Sequence, residues 1–192
     1  MHIDPNTGLL KDPLNNVRQV PSPNCDARPE DTDIDLLVIH AISLPAGEFG
    51  GPWIDELFCN TLDATAHTDF AEICKLTVSA HALIRRNGEI VQYVPFQQRA
   101  WHAGQSNFQG REHCNDFSIG IELEGCNEQP FEPIQYQRLA ELTRALMLRY
   151  PGISRERITG HSDIAPGRKT DPGPNFDWRQ LWTLLEQLPE SP

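Results

Sequence analysis

Two histidines and an aspartate could do metal chemistry in this chain. His40 closes the apolar run DLLVIH (35–40), and His161 and Asp171 lie ten residues apart in GHSDIAPGRKTDPGP (160–174). A catalytic zinc takes three protein ligands, histidines and carboxylates among them, and keeps a fourth position for water. On a helix, a separation of ten would leave His161 and Asp171 about 15 Å apart along the axis, too far for one ion. Pro166, Gly167, Pro172 and Gly173 instead interrupt regular structure and let the segment fold back on itself. The residue types fit a metal centre, but the spacing does not demand one. A histidine at a strand end is commonly a packed residue, and an aspartate before Pro-Gly-Pro is commonly a turn former. His81 and His102 compete for the same role.

Two further groups could handle protons and charge. The stretch GIELEG sets Glu122 and Glu124 into a strand otherwise built from Ile and Leu. Strand periodicity puts both carboxylates, with Gly120, on the face opposite Ile119, Ile121 and Leu123. A carboxylate in a partly apolar wall has a raised pKa and suits a general base; an edge-strand carboxylate facing water is the plain alternative. Spacing does not choose between Glu122 and Glu124. Lys169 is either a solvated loop charge or a cation aimed at a developing oxyanion.

The elements that must position these groups can be read in outline. DLLVIH predicts a buried strand, and 43–52 a loop followed by a short helix over 53–62. TVSAHALI (77–84) and EIVQYVPF (89–96) flank Asn87-Gly88, a strong hairpin signal. A loop spans 99–112, and FSIGIELEG (117–125) predicts a strand. Residues 133–150 carry Leu139, Leu142 and Leu146 at helical spacing, with Pro133 in the first turn and Pro151-Gly152 as the stop. Residues 157–159 suit a short strand, and Asp177 with Gln180 suits the cap of a helix through WRQLWTLLEQL. Residues 1–34 read as an irregular polar lead-in. The sum is one α/β (α+β) domain over 1–192, a central mixed β-sheet flanked by α-helices.

Composition narrows the function classes. The 192 residues are 39% hydrophobic and carry a net charge of −11, so the surface repels phosphate backbones and argues against a nucleic-acid partner. No apolar run is long enough to span a membrane, and the N-terminus has no secretory pattern. Five cysteines, an odd number with no CxxC pair, suit reduced thiols in the cytoplasm.

LLVIHAISLP, WIDELF, VSAHALIRRNGEIVQYVPF, RAWHAG, CNDFSIGIELEG and GHSDIAPGRKTDPGPNFDW together resemble the cytoplasmic N-acetylmuramoyl-L-alanine amidases of bacterial cell-wall recycling (the AmpD type). These belong to a superfamily that includes phage amidases and peptidoglycan recognition proteins. The resemblance runs from about Pro21 to Trp182. It implies a Zn2+-dependent hydrolase that cuts the lactyl–L-alanine amide of 1,6-anhydromuramyl peptides and, through wall recycling, affects β-lactamase induction. By position it implies His40, His161 and Asp171 as zinc ligands, Glu122 rather than Glu124 as general base, and Lys169 as transition-state support.

With these roles in place, Trp101 offers an apolar face for the sugar or peptide. Arg99 and Arg111, with Arg85 and Arg86, are candidates for the stem-peptide carboxylates. Many cytoplasmic members carry Asn directly after the first ligand; Ala41 stands there here, so contact with the substrate at that point differs. The expected partner is a muropeptide, with no nucleic acid, membrane or obligate protein partner and a monomeric state. The rival readings are a peptidoglycan-binding module without catalysis, and a secreted autolysin acting on intact wall.

Overall fold

The computed structural model describes residues 1–13 and 16–189. Its frame is a six-stranded mixed sheet. In chain order the strands are β1 (Val17–Gln19), β2 (Leu36–Ile42), β3 (Ala82–Ile84), β4 (Ile90–Gln92), β5 (Ser118–Glu124) and β6 (Ile158–Gly160). Across the sheet they lie in the order β6-β2-β5-β3-β4-β1. Only β3 and β4 pair antiparallel; the other four pairings are parallel.

The polar lead-in is thus more ordered than its composition suggests. Val17–Gln19 forms an edge strand, and His2–Ile3 pairs with Leu10–Lys11. Polar residues are tolerated there because an edge strand has one open side.

Alternation along β2 and β5 creates the two faces of the sheet. Leu37, Ile39, Ile119, Ile121 and Leu123 point one way and pack against Leu139, Leu142 and Leu146. These leucines lie on α3 (Pro133–Arg149), where Gln135 Oε1 accepts from the Glu132 N–H at 2.9 Å and Pro133 sits in the first turn. All eight residues are fully buried, each contributing about 1.5–3 kcal/mol relative to exposure. The C-terminal helix α5 (Trp178–Gln187) covers the same side. Asp177 caps it, with Oδ1 accepting from the Gln180 N–H at 3.0 Å.

On the opposite face Leu83 and Val91 meet Ile54, Leu57 and Phe58 of α1 (Trp53–Phe58) and Phe70 of α2 (Phe70–Ile73). Leu36 and Val38 meet Ala103, Cys114, Phe117 and Ile164. The latter residue ends α4 (His161–Ile164), a single helical turn.

The hairpin at Asn87-Gly88 forms with a three-residue turn: Gly88 donates to Arg85 O, Arg85 donates to Glu89 O, and Gly88 takes a φ of +84°. Its strands are shorter than the alternation suggests. Tyr93 and Val94 both donate to His81 O, which bulges the ladder and frees the His81 side chain for another task. Among the described residues no helix is long and apolar enough to cross a membrane, and all five cysteines are unpaired.

Candidate metal centre and active site

The parallel strands β6, β2 and β5 end at the same edge of the sheet, the usual place for a site in such folds. The register of β2 on β5 sets His40 directly beside Glu122. Neighbours in register share a face, so both rise from the side opposite the α3 core. Strand β6, next to β2, delivers His161 from its C-terminal end.

The segment after His161 folds back, as its prolines and glycines allow. Ser162 N–H donates to Asp171 O at 2.9 Å and Lys169 N–H to Ala165 O at 3.1 Å. Asn127 holds the returning limb: its Nδ2 donates to Thr170 Oγ1 at 3.1 Å, while its own carbonyl accepts from Asn175 Nδ2 at 2.6 Å. Gly173 is required here. Its φ is +87°, and a Cβ would meet Asn127 Oδ1.

The result is a convergence of three donor atoms. His40 Nδ1 lies 3.0 Å from His161 Nδ1 and 3.2 Å from Asp171 Oδ2, and His161 Nδ1 lies 3.0 Å from the same oxygen. The far nitrogens are engaged elsewhere. His161 Nε2 donates to Ala103 O at 3.2 Å, and His40 Nε2 lies 2.9 Å from His102 Nδ1. Burial pushes His40 down to about 4, with His161 and Lys169 adding to the shift and Asp171 opposing it. Neutral imidazoles are what a metal requires. Burial disfavours charge on Asp171, but its bonds with His161 and His40 outweigh that and hold the carboxyl well below the usual carboxylate range. Two imidazoles and one carboxylate aimed at one point are a donor set that a divalent cation satisfies.

His81 and His102, the competing candidates, are not in this group. His81 Nδ1 accepts from Gly120 N–H at 3.0 Å and its Nε2 donates to Gln98 O at 3.1 Å, so no lone pair is left for a metal. His102 stands behind His40.

The two carboxylates of GIELEG part company. Glu124 is buried and accepts from Arg85, the Arg86 N–H and the Gly50 N–H; it anchors the 43–52 loop. Glu122 has a buried Oε2 with no partner. Burial and the nearby Asp171 charge raise its pKa well above the usual carboxylate range, with Lys169 partly offsetting them. It has the environment of a general base.

Two cavities adjoin the centre. One, of about 210 Å³, is lined by His40, Glu122, His161, Lys169 and Asp171 together with Leu57, Phe58, Val78 and Trp101. The other, of about 720 Å³, is a groove bounded by Ser43, Cys126, Asn127, Arg168 and Lys169. Ala41 lines both. Trp101 is held in place by its indole N–H, 3.3 Å from Asp26 Oδ1.

The arginines expected to meet substrate carboxylates stand elsewhere. Arg99 pairs with Asp26 and Asp116. Arg111 pairs with Asp35 at 2.7 Å and lies 3.7 Å over the Phe117 ring. Arg85 is buried among Asp55, Glu89 and Glu124, and Arg86 pairs with Glu132. None of the four lines either cavity. The Arg99–Asp26 and Arg111–Asp35 pairs join residues 73 and 76 apart, a separation that leaves no trace in spacing. The cations at the groove are Lys169 and Arg168. Arg168 also donates to Ala103 O and Gln105 O, both at 2.6 Å. Sequence reading passed over Arg168, although it directly precedes Lys169.

This is a mixed α/β sheet with a His–His–Asp centre at the carboxyl ends of its parallel strands. Residues 30–174 match the N-acetylmuramoyl-L-alanine amidase family, and the chain belongs to that family. It is 62% identical over 174 residues to the 1,6-anhydro-N-acetylmuramyl-L-alanine amidase AmpD of Escherichia coli K12, covering 91% of this chain and 94% of that one. The corresponding AmpD of Haemophilus influenzae is 58% identical over 179 residues, covering 93% and 95%. A crystal structure of a selenomethionine AmpD derivative superposes with a TM-score of 0.90 at 59% identity, covering 96% of this chain and 99% of that one.

Proposed function

We infer that the protein is a zinc-dependent N-acetylmuramoyl-L-alanine amidase that hydrolyses the lactyl–L-alanine amide of 1,6-anhydromuramyl peptides in bacterial cell-wall recycling. One observation carries the reading: His40 Nδ1, His161 Nδ1 and Asp171 Oδ2 converge within 3.0–3.2 Å beside a Glu122 carboxylate oxygen that is buried and unpartnered.

These residues fit zinc by donor type and by the neutral state that burial favours in His40. They would hold it and leave room for water. Bound there, zinc supplies a water of pKa about 7 and polarises the scissile carbonyl. The chain's own groups do the rest. Glu122 takes a proton from the attacking water and hands it to the alanine nitrogen as the C–N bond breaks. Lys169 sets an ammonium against the charge that develops on the carbonyl oxygen. Trp101, Leu57, Phe58 and Val78 present an apolar wall to the muramyl side. Arg168 and Lys169 counter the negative surface where an acidic stem peptide would lie. Ala41 leaves open the space that a larger residue after His40 would fill. We further propose that the enzyme acts as a monomer in the cytoplasm.

The test is incubation of the purified protein with anhydro-N-acetylmuramyl-L-Ala-γ-D-Glu-diaminopimelate, followed by mass spectrometry. The expected products are anhydro-N-acetylmuramic acid and free tripeptide, with loss of activity on chelation and recovery with zinc. An intact substrate after zinc loading, or cleavage at a peptide bond within the stem, would overturn the reading.

A further inference from the structure

His40 can reach the centre through Nδ1 only if that nitrogen bears a lone pair, which requires the proton to sit on Nε2. The structure contains a chain of contacts that decides where this proton goes, and its direction is fixed at the far end. Ser118 Oγ lies 2.5 Å from Cys114 O. A carbonyl only accepts, and two bare oxygens at that distance repel, so the Ser118 hydroxyl proton points to Cys114. Ser118 Oγ must then accept from its other neighbour, His102 Nε2, at 3.1 Å. With the His102 proton on Nε2, its Nδ1 is bare, and His40 Nε2 stands 2.9 Å from it. The only consistent arrangement runs His40 Nε2–H to His102 Nδ1, His102 Nε2–H to Ser118 Oγ, and Ser118 Oγ–H to Cys114 O.

The fold makes room for this chain at some cost. Ser118, Gly120 and Glu122 share one face of β5, and the His102 ring lies directly on Gly120. A Cβ there would come within 2.4 Å of the ring. Asn115 Oδ1 accepts from the His102 and Ala103 N–H groups at 3.1 and 2.7 Å, which fixes the backbone that carries the ring. The same Ala103 supplies the carbonyl that accepts from His161 Nε2. One short loop therefore orients both imidazoles.

We propose that His102 is a positioning residue: its Nδ1 accepts the Nε2–H of His40 and so locks His40 in the tautomer and ring orientation that turn Nδ1 toward His161 and Asp171. The proposal rests on the reading of these three residues as zinc ligands. Partners that orient ligating histidines typically contribute 10–100-fold to metal affinity. Glycine at 120 and serine at 118, in a strand otherwise suited to large apolar residues, follow from the need to seat and anchor the His102 ring.

The experiment uses the full-length, zinc-loaded protein with 15N-labelled imidazoles. Nuclear magnetic resonance is expected to show His102 protonated at Nε2 and bare at Nδ1, with a hydrogen-bond coupling between His102 Nδ1 and His40 Nε2. Competition with a chromophoric chelator is expected to show zinc bound about 10–100-fold more weakly by His102→Ala. In His102→Asn the amide oxygen can take the place of Nδ1, and most of that affinity is expected to return. His102 protonated at Nδ1 in the wild type would overturn the proposal whether or not the variants fold. So would His102→Ala affinity within threefold of wild type, or an Asn variant as weak as Ala. A wild-type protein that takes up no zinc would instead overturn the ligand assignment itself, and this proposal with it.

Discussion

Replacing Glu122 with Gln removes a charge and a proton acceptor while keeping size and shape. In the structure Oε2 is buried and unpartnered, and the side chain is not among the three converging ligands. The substitution should therefore leave zinc content unchanged. Positioned general bases contribute 10²–10⁴-fold, and at about 1.36 kcal/mol per factor of ten the expected rise in barrier is about 3–5 kcal/mol. The wild-type pH profile carries a second signature. If Glu122 is the base, the acidic limb of the wild-type kcat/KM profile should be absent from the residual activity of Glu122→Gln.

Stability should move the other way. Because the folded-state pKa is raised, the wild type holds this proton more tightly when folded. The stability so gained is present below the unfolded pKa and lost as pH rises through the folded one. Metal-free Glu122→Gln should then equal the wild type near pH 4 and exceed it at pH 7, by about 1.4 kcal/mol for each tenfold by which folding tightens the proton. Steady-state kinetics across pH, metal analysis and urea melts at the two pH values make the assay. A kcat within threefold of wild type, or zinc lost together with activity, would show that Glu122 is not the general base.

Three further outcomes are expected. Asp171→Ala should lose zinc and turnover together, read by metal analysis and product assay on the same sample, because it removes the only charged donor of the centre. Lys169→Ala should lower kcat by about 10²–10³, the usual cost of one oxyanion donor, with zinc content unchanged. Arg85→Met should remove the cation paired with the buried Glu124, leaving it only the Arg86 and Gly50 N–H groups, and take away a partner of Asp55. That costs about 3–5 kcal/mol and lowers the thermal midpoint by about 2–4 °C per kcal/mol in a chain of this size.

The elements that sequence reveals best here are those with one strong period. DLLVIH gave β2, the leucine spacing gave α3, and Asn87-Gly88 gave the hairpin, because each is decided by local chemistry. The strand over 77–84 shrinks to Ala82–Ile84 because Ser79 and His81 turn their hydrogen bonds to Trp101, Gly120 and the bulged Tyr93. Nothing in their alternation reports those partners. The same limit applies at the site. Glu122 and Glu124 have identical parity, and what separates them is that Arg85 and the Gly50 N–H reach one and not the other. Arg99 and Arg111 look free in the sequence because Asp26 and Asp35 lie 73 and 76 residues away. The His161–Asp171 pair is more legible, since Pro166 and Gly167 between them, with Pro172 and Gly173 just beyond, leave folding back as the arrangement that brings the two side chains together. His102 drew attention as a histidine, but its place behind His40 depends on the cradle over Gly120, a feature of packing rather than of spacing.

In the proposed function, His40, His161 and Asp171 hold one zinc ion that keeps a position for water. Anomalous diffraction from a crystal of the zinc-loaded protein, collected on both sides of the zinc edge, tests it most directly. The expected result is a single zinc peak about 2.0–2.2 Å from both Nδ1 atoms and an Asp171 oxygen, with solvent as the fourth neighbour. A peak elsewhere, or one closed by a fourth protein ligand, would contradict the account.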